Sequence, residues 1–206
     1  MEGALKRCMR FMKTVPISQL ADIRTGFTFR EASSGKQSGE ILGLQIRDIR
    51  NVKVIDPDHL SVINWQGSDQ LPTLMPGEVV LAAKGSYNRA ALFLGQQHQV
   101  IPSSQLLVLS VRDKGSISPS FLCWVLNYPE TQRRMAEFQS GTNIFSISKK
   151  ALQALTIPLP SRQVQDQILR LDALLDEERR VTEALIDNRE TQVQGVVQQL
   201  LSGAVE

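Results

Sequence analysis

The sequence has few of the residues that organise several common classes of small protein. Of its 206 residues, two are cysteines and two are histidines, and it contains no CxxC pair or Cys/His spacing. A disulfide scaffold and a zinc site are therefore excluded as the basis of the fold. Cys123 lies within an apolar run, Phe121–Leu126, which predicts a small buried thiol.

Long apolar segments are also missing. No stretch of about 18 consecutive apolar residues occurs, so the sequence predicts no transmembrane helix. The basic residues near the N-terminus are not followed by an apolar segment, so a signal peptide is not supported. We therefore expect a soluble cytoplasmic protein with no membrane partner, for which Met9 and Met12 are alternative start positions to Met1.

Motifs for nucleotide binding and catalysis are absent as well. The sequence has no GxGxxG or GxxxxGK[ST] loop, and no Ser–His–Asp or Cys–His arrangement stands out. Asp56, Asp58, Glu78 and Lys84 have poor spacing for a nuclease-like site, so we interpret them as surface charges. Asn127-Tyr128-Pro129 is a weak version of an amino-methyltransferase motif, and we interpret it as a helix end. These absences predict a binding protein rather than an enzyme.

What the sequence does contain is an uneven distribution of charge. Its 23 Lys and Arg residues and 21 Asp and Glu residues leave a net charge of only +2. Residues 1–160 carry 18 basic and 12 acidic side chains, a net charge of +6, whereas residues 161–206 carry 5 and 9, a net charge of −4. Such an asymmetry predicts that the two segments have different partners.

The fold class predicted from these segments is α+β, with a β-rich body and small helices followed by one long helix. Short strand-like runs are bounded by turn residues, which is typical of a compact β-rich domain with a partly barrel-like arrangement. These runs are Ile41–Ile46, Val52–Ile55, Val79–Ala83, Ala90–Leu94 and Leu106–Val111. The helices are expected at Phe121–Asn127 after a Ser118-Pro119 cap, at Pro129–Ser140 before Gly141, and at Lys149–Leu155 after a Ser148 cap. A short turn capped by Ser18 is expected near the start of the body.

The segment Thr156–Pro160 must be extended, because each proline restricts the residue before it. It therefore predicts a boundary between a domain of residues 1–160 and a second region of residues 161–206. Residues 161–201 contain no proline and one glycine, Gly195, and their apolar residues recur at steps of three and four. A helix of this length is a rod of roughly 60 Å.

The apolar stripe of this helix favours a coiled coil with a second helix over packing against its own domain. The predicted dimer contacts are Ile168, Leu171, Leu175, Val181, Leu185, Val193, Val196 and Leu200. Glu178 and Arg189 interrupt the stripe, and polar residues in such a seam can fix register and partner at some cost in stability.

Three polar clusters in the basic body are suited to DNA. Lysine and arginine make phosphate contacts, and arginine or asparagine can pair bidentately with purine edges. Each cluster alone is typical of a solvated loop, but together they predict a DNA-reading surface. The predicted DNA contacts are Lys84, Ser86, Tyr87, Asn88, Arg89, Ser104, Gln105, Thr142, Asn143 and Lys149. Arg24, Arg30, Arg47 and Arg50 add positive charge to the same body.

The order of these segments resembles the specificity subunit of type I restriction-modification systems over about residues 15–201. The most specific match is residues 140–168, which run from Ser140-Gly141-Thr142-Asn143 through Leu159-Pro160 to the start of the long helix. Residues 20–26, 76–85 and 121–129 support the match. Gln165-Asp166-Gln167-Ile168 is a looser version of the family's usual helix start.

The resemblance implies that residues 1–160 form a target recognition domain for half of a bipartite site in double-stranded DNA. It implies that residues 161–206 act as a spacer and as a docking rod for modification subunits. It also implies no catalysis and no cofactor in this chain, since S-adenosylmethionine and ATP belong to the modification and restriction subunits.

A standard specificity subunit has two recognition domains and two long helices, whereas this chain has one of each. We therefore expect a homodimer with antiparallel helices that reads a palindromic bipartite site and directs adenine methylation or restriction by its partners. The alternatives are a stand-alone DNA-binding regulator without a methyltransferase partner, and a coiled-coil adaptor that binds protein instead of DNA.

Overall fold

The computed structural model describes residues 13–31, 41–65, 71–85, 88–95, 98–138 and 146–203. The chain divides into two compact units, Met1–Gln165 and Asp166–Glu206. The elements, in chain order, are β1 (Thr14–Pro16), α1 (Ile17–Leu20), β2 (Ala21–Thr25), β3 (Arg30–Glu31), β4 (Ile41–Leu44), β5 (Val54–Ile55), β6 (Ser61–Asn64), β7 (Val79–Ala82), β8 (Ala90–Phe93), β9 (Gln99–Pro102), β10 (Leu106–Val111), α2 (Pro119–Asn127), α3 (Pro129–Glu137), α4 (Lys149–Ala154), β11 (Thr156–Pro158) and α5 (Arg162–Leu201). This is the predicted α+β class, a β-rich body followed by one long helix.

The described strands of the first unit form three sheets. A five-stranded sheet has the order β2-β10-β7-β8-β5, a four-stranded sheet has the order β3-β6-β4-β9, and β1 pairs with β11. The β4–β9 and β5–β8 pairs are parallel, and the other pairs are antiparallel. β7 and β10 therefore lie side by side at the centre of the larger sheet.

The core lies between the two larger sheets, because buried apolar side chains from both form one packed cluster. Its members are Leu42, Leu44, Ile49, Ile55, Leu60, Leu74, Val80, Ala82, Ala91, Phe93, Val100, Leu106 and Val108. β7 and β8 are buried along their whole length, which explains their uninterrupted apolar sequences. α2 packs against β8 and β7.

A close backbone approach joins the two larger sheets just after β2. The amide of Gly26 donates to Leu106 O at 3.0 Å, and Phe27 donates to Pro102 O at 2.8 Å. A Cβ on Gly26 would lie 2.1 Å from Ser103 O, so only glycine fits here.

The predicted helix starts are confirmed at two caps. Ser118 Oγ accepts the N–H of Phe121 at 3.0 Å, and Ser148 Oγ accepts the N–H of Ala151 at 3.1 Å. The predicted Ser18 cap is wrong, because α1 begins at Ile17 and includes Ser18. α3 ends at Glu137, earlier than the predicted Ser140, and Gly141 lies outside the described residues.

The strand predictions are confirmed in position but were incomplete. β2, β3, β6 and β9 were not predicted, and two predicted strands are shorter, since Ile41–Ile46 comprises only Ile41–Leu44 and Val52–Ile55 only Val54–Ile55. β9 ends in Pro102 and lies at the edge of its sheet, where a residue without an N–H is tolerated. Cys123 is buried, as its apolar surroundings predicted.

The long helix α5 confirms the prediction from residues 161–201. It begins at Arg162 and continues to Leu201, so it spans 40 residues. None of the described helices combines the length and the hydropathy that a membrane crossing requires.

Candidate nucleic-acid interface

Three loops that are distant in sequence meet at Ala83, where the chain leaves β7. The amide of Ala83 donates to Gln105 O at 2.9 Å, and Ala83 O accepts the N–H of Ile147 at 2.9 Å. Lys84 and Ser146 form an isolated antiparallel bridge next to these bonds. The fold therefore brings the turn after β7, the turn before β10 and the segment before α4 to the same end of the central strands of the larger sheet.

The turn after β7 depends on a glycine. Gly85 has φ of +110°, a conformation that residues with a side chain rarely adopt. A Cβ at this position would meet nothing within 4 Å, so the requirement is conformational and not one of space. Gly85 thus redirects the chain immediately after Lys84.

A groove with a volume of about 460 Å³ opens beside this turn. It is lined by Ile46, Arg50, Asn51, Ala82, Lys84, Gly85 and Arg89, and no carboxylate is among these lining residues. Lys84, Arg89 and Arg50 are exposed. Within the described part of the chain, the side chains of these three cations have no hydrogen-bond or ion-pair partner. Three cations without a partner among the described residues make this groove electrostatically suited to an anion.

Lys84 and Arg89 were predicted contacts, and the structure places both at this groove. Arg50 and Asn51 were missed as site residues, since Arg50 was noted only for its charge. The sequence signal available was the basic pair Arg47 and Arg50 beside a predicted strand end. Arg47 donates to Ser61 Oγ at 3.2 Å and lies 3.6 Å from an Asp48 oxygen, so it is partly engaged elsewhere.

Asn88 requires a correction, because its side chain lies inside the protein. It is 1% exposed, and its Nδ2 donates to Ala82 O at 2.7 Å. In this position the amide is hydrogen-bonded inside the body and is not exposed for contact with a duplex. We therefore withdraw Asn88 from the predicted DNA contacts.

The second predicted cluster, Ser104 and Gln105, is an exposed turn between β9 and β10. Its backbone is fixed by the bond from Ala83 to Gln105 O. Both residues lie at the same end of the central strands as Lys84, so the structure brings the first two clusters together.

Lys149 lies three residues after Ser146 and is exposed at the start of α4. Its charge also acts on Asp22, a residue of β2. The pKa of Asp22 lies below its ordinary value of 3.8, chiefly because Arg112 donates hydrogen bonds to the carboxylate, with the charges of Arg112 and Lys149 adding to the effect. The charge of Lys149 therefore acts on a carboxylate, whereas the residues that line the groove include no carboxylate.

The remaining predicted contacts are not located by the structure. Ser86, Tyr87, Thr142 and Asn143 lie outside the described residues.

Glu78 was interpreted as a surface charge, and this is wrong. Its carboxylate is buried, accepting from Arg24 Nη2 at 2.8 Å, from the amide of Met75 at 2.9 Å and from Ser110 Oγ at 2.6 Å. Arg24 also donates to Thr73 O at 3.1 Å. A buried charge of this kind must be paired, and the pairing engages Arg24 so that it is not available for DNA.

The predicted seam of α5 is exposed in this chain. Ile168 is half-buried, whereas Leu171, Leu175 and Leu200 are each exposed by about 60% of their surface. The other predicted seam residues, Val181, Leu185, Val193 and Val196, are also exposed. Five further apolar residues of α5 that were not among the predicted contacts are exposed, namely Val164, Leu174, Ile186, Val197 and Leu201.

The start of α5 is fixed by a buried amide that the sequence did not reveal. Gln165 is 0% exposed, and its Oε1 accepts the N–H of Ser118 at 3.0 Å. Its Nε2 donates to Ser116 O at 2.8 Å and to Pro160 O at 3.0 Å.

No group of three or more His, Cys, Asp or Glu side chains with metal-binding geometry occurs among the described residues.

Comparison with known proteins connects this architecture to a family. A family model described as the type I restriction modification DNA specificity domain matches residues 9–186. The sequence matches no curated protein.

Solved structures with a similar fold include the S subunit of a type I restriction-modification system from M. genitalium, with 19% identity, a TM-score of 0.54 and 80% of this chain covered. The HsdS subunit from Thermoanaerobacter tengcongensis has 21% identity, a TM-score of 0.57 and 84% coverage. A structure described as the basis of complex assembly and conformational transition of the type I R-M system has 22% identity and a TM-score of 0.56, again with 84% coverage. The matched region is 39% of each of these chains, so this chain spans about two fifths of their length.

Proposed function

Since this chain belongs to the type I restriction modification DNA specificity domain family, we propose that its body reads one half of a bipartite site in double-stranded DNA. The observation that carries the proposal is the convergence of Lys84, Arg89 and Arg50, without side-chain partners in the described residues, on one groove. Cations of this kind contact phosphates, and an arginine among them can also pair with a guanine edge. Ser104 and Gln105, at the same end of the central strands, add groups that can hydrogen-bond to bases.

The DNA proposal is tested by fluorescence anisotropy with a labelled duplex pool at two or more salt concentrations. Arg89→Ala should weaken binding by about tenfold, whereas Arg133→Ala should not change it. Arg133 is a matched control because it is an exposed arginine whose guanidinium is held by Glu130 at 2.6 Å. Equal affinity of the wild type and Arg89→Ala, or binding that does not respond to salt, would contradict a DNA-reading groove and favour the adaptor alternative.

We further propose that α5 forms an antiparallel coiled coil with the helix of a second copy. The support is the exposed stripe of leucines and valines, since an apolar stripe left in water is unfavourable and a partner helix removes it from water. Two body units related by a two-fold axis would then read a palindromic site with a fixed gap.

Light scattering at micromolar concentration tests the dimer, with and without DNA. The expected mass is close to twice the 23.0 kDa of one chain. A mass of one chain under both conditions would contradict the proposed dimer.

The catalytic steps are assigned in this proposal to partner subunits. Modification subunits would dock on α5 and supply adenine methylation with S-adenosylmethionine, and restriction subunits, where they are present, would use ATP. This chain would supply the choice of DNA sequence and no cofactor of its own. A stand-alone DNA-binding regulator would instead bind DNA in the same way and recruit no methyltransferase.

A further inference from the structure

The turn that carries Arg89 is held by side-chain amides from the helices behind it. Asn127, the last residue of α2, donates from Nδ2 to Ala90 O at 2.7 Å and accepts the N–H of Ala90 at its Oδ1, at 3.0 Å. One side chain therefore satisfies both backbone groups of the residue that follows Arg89.

This contact occurs where the sheet itself offers no partner. On its outer side β8 pairs with β5, but the pairing covers only Leu92 and Phe93. Ala90 lies at the other end of β8, beyond the reach of the short strand β5. The Asn127 amide takes the place of the missing strand and fixes the first residue of β8.

A second amide holds the residue before Arg89. Gln132 of α3 donates from Nε2 to Asn88 O at 2.8 Å and to Leu126 O at 2.7 Å. On the inner side, Ala82 donates to Arg89 O at 2.8 Å. The backbone of the three residues from 88 to 90 is thus bonded on both sides, while the Arg89 side chain remains exposed.

Fixing a backbone in this way has a consequence for recognition. A bidentate contact between arginine and a base depends on accurate placement, whereas a phosphate contact tolerates movement of the side chain. A loop that can shift would keep its attraction for phosphates and lose its discrimination between bases.

We propose that Asn127 and Gln132 are positioning residues that set base discrimination by Arg89. The inference rests on the proposed function, because it assigns them to the same DNA-reading groove. It gives a role in recognition to Asn127, which the sequence alone indicated only as a helix end.

The test is selection of binding sequences from a duplex pool with randomised positions, using the full chain. Gln132→Met keeps the side chain's length without a donor, and Asn127→Asp replaces the donor to Ala90 O with a carboxylate oxygen. We expect both variants to lose preference at the same base positions as Arg89→Ala, by at least about fivefold. Affinity for the unselected pool should stay within about twofold of the wild type for Gln132→Met, since the groove cations remain. Gln19→Met, at an exposed position of α1, is the matched control and should retain every preference.

A double-mutant cycle completes the test. In the Arg89→Ala background, Gln132→Met should cause no further loss of preference, because it acts through Arg89. The proposal is overturned if both variants keep the wild-type preference, if they weaken all sequences equally, or if their effects add to that of Arg89→Ala. If Gln132→Met does not fold, Asn127→Asp decides the matter, and failure of both to fold would show a purely structural role. A wild-type chain that selects no sequence would instead refute the proposed function itself.

Discussion

In the body, Leu44 and Leu106 are fully buried, whereas in the second unit Leu171, Leu175 and Leu200 each expose about 60% of their surface. Charge is distributed in the opposite sense, since the groove of the body has three cations without a partner among the described residues, and the segment from residue 161 onward has a net charge of −4. The body thus has a packed apolar core and a positively charged groove. The long helix offers an apolar stripe, and this difference indicates two binding modes in one chain.

The largest expected effect comes from making the same substitution in both regions. Leu106→Ala should lower the free energy of unfolding by about 2–5 kcal/mol, because it leaves a cavity between the sheets. Leu171→Ala should lower it by less than about 0.5 kcal/mol. Tryptophan fluorescence during urea unfolding is a suitable measurement, since both tryptophans, Trp65 and Trp124, belong to the body. Equal losses of unfolding free energy for the two variants would contradict the distinction between a packed body and an exposed helix.

Negative charges placed in the seam should weaken dimerisation through the helix without changing the stability of the body. The double variant Leu171→Asp/Leu185→Asp should raise the dimer dissociation constant by at least about 100-fold, because association would bury unpaired carboxylates. Sedimentation equilibrium measures this constant, and the unfolding of the body should not change. Gln194→Asp, on the opposite face of the helix, is the matched control and should leave the dimer intact. A dimer that survives the double variant would place the interface elsewhere.

The salt dependence of DNA binding should distinguish the cations of the groove from those of the long helix. Arg50→Ala should weaken DNA binding by about tenfold and reduce the slope of log K against log salt by about one, as expected for one lost phosphate contact. Arg180→Ala, at an exposed helix position outside the predicted seam where Glu177 holds the guanidinium at 2.6 Å, should change neither quantity. Titrations at several salt concentrations measure both, and an equal loss in the two variants would show that DNA also contacts the helix.

The smallest effect concerns the exposed pair of Asp22 and Arg112. Arg112 donates to Asp22 Oδ1 at 2.6 Å and 3.0 Å, which lowers the pKa of the carboxyl below 3.8. A lowered pKa in the folded state stabilises the fold above pH 3.8, and this contribution is lost as the pH falls through the folded-state value. Asp22→Asn should therefore be slightly less stable than the wild type at pH 5–7, with the difference closing at lower pH. Thermal unfolding measured from pH 7 down to well below pH 3.8 would detect it, and a difference that stays constant over that whole range would mean that the carboxylate charge is not involved.

Local signals in the sequence were sufficient for the helices. Ser118 and Ser148 cap α2 and α4 because an N-cap needs only a hydroxyl and the three residues that follow it. The three- and four-residue spacing of apolar residues in residues 161–201, with no proline among them, was equally sufficient for α5.

Contacts between distant residues could not be predicted in this way. Glu78 and Arg24 are 54 positions apart, and nothing in either neighbourhood indicates that they meet inside the protein. Asn88 carries the residue type of a base contact, yet its position in a tight turn directs its amide to Ala82 O. The groove was predicted only in part for the same reason, because Arg50 joins Lys84 and Arg89 through the packing of the two sheets.

The most direct test is to co-express this chain with the modification subunit of a type I restriction-modification system and to map methylated adenines across the host genome. Methylation at a palindromic motif with a fixed gap, lost with Arg89→Ala and with the Leu171→Asp/Leu185→Asp variant, is the result that a DNA-reading body and a dimerising helix together predict. Methylation without a defined motif, or none that depends on this chain, would contradict the assignment of sequence choice to it.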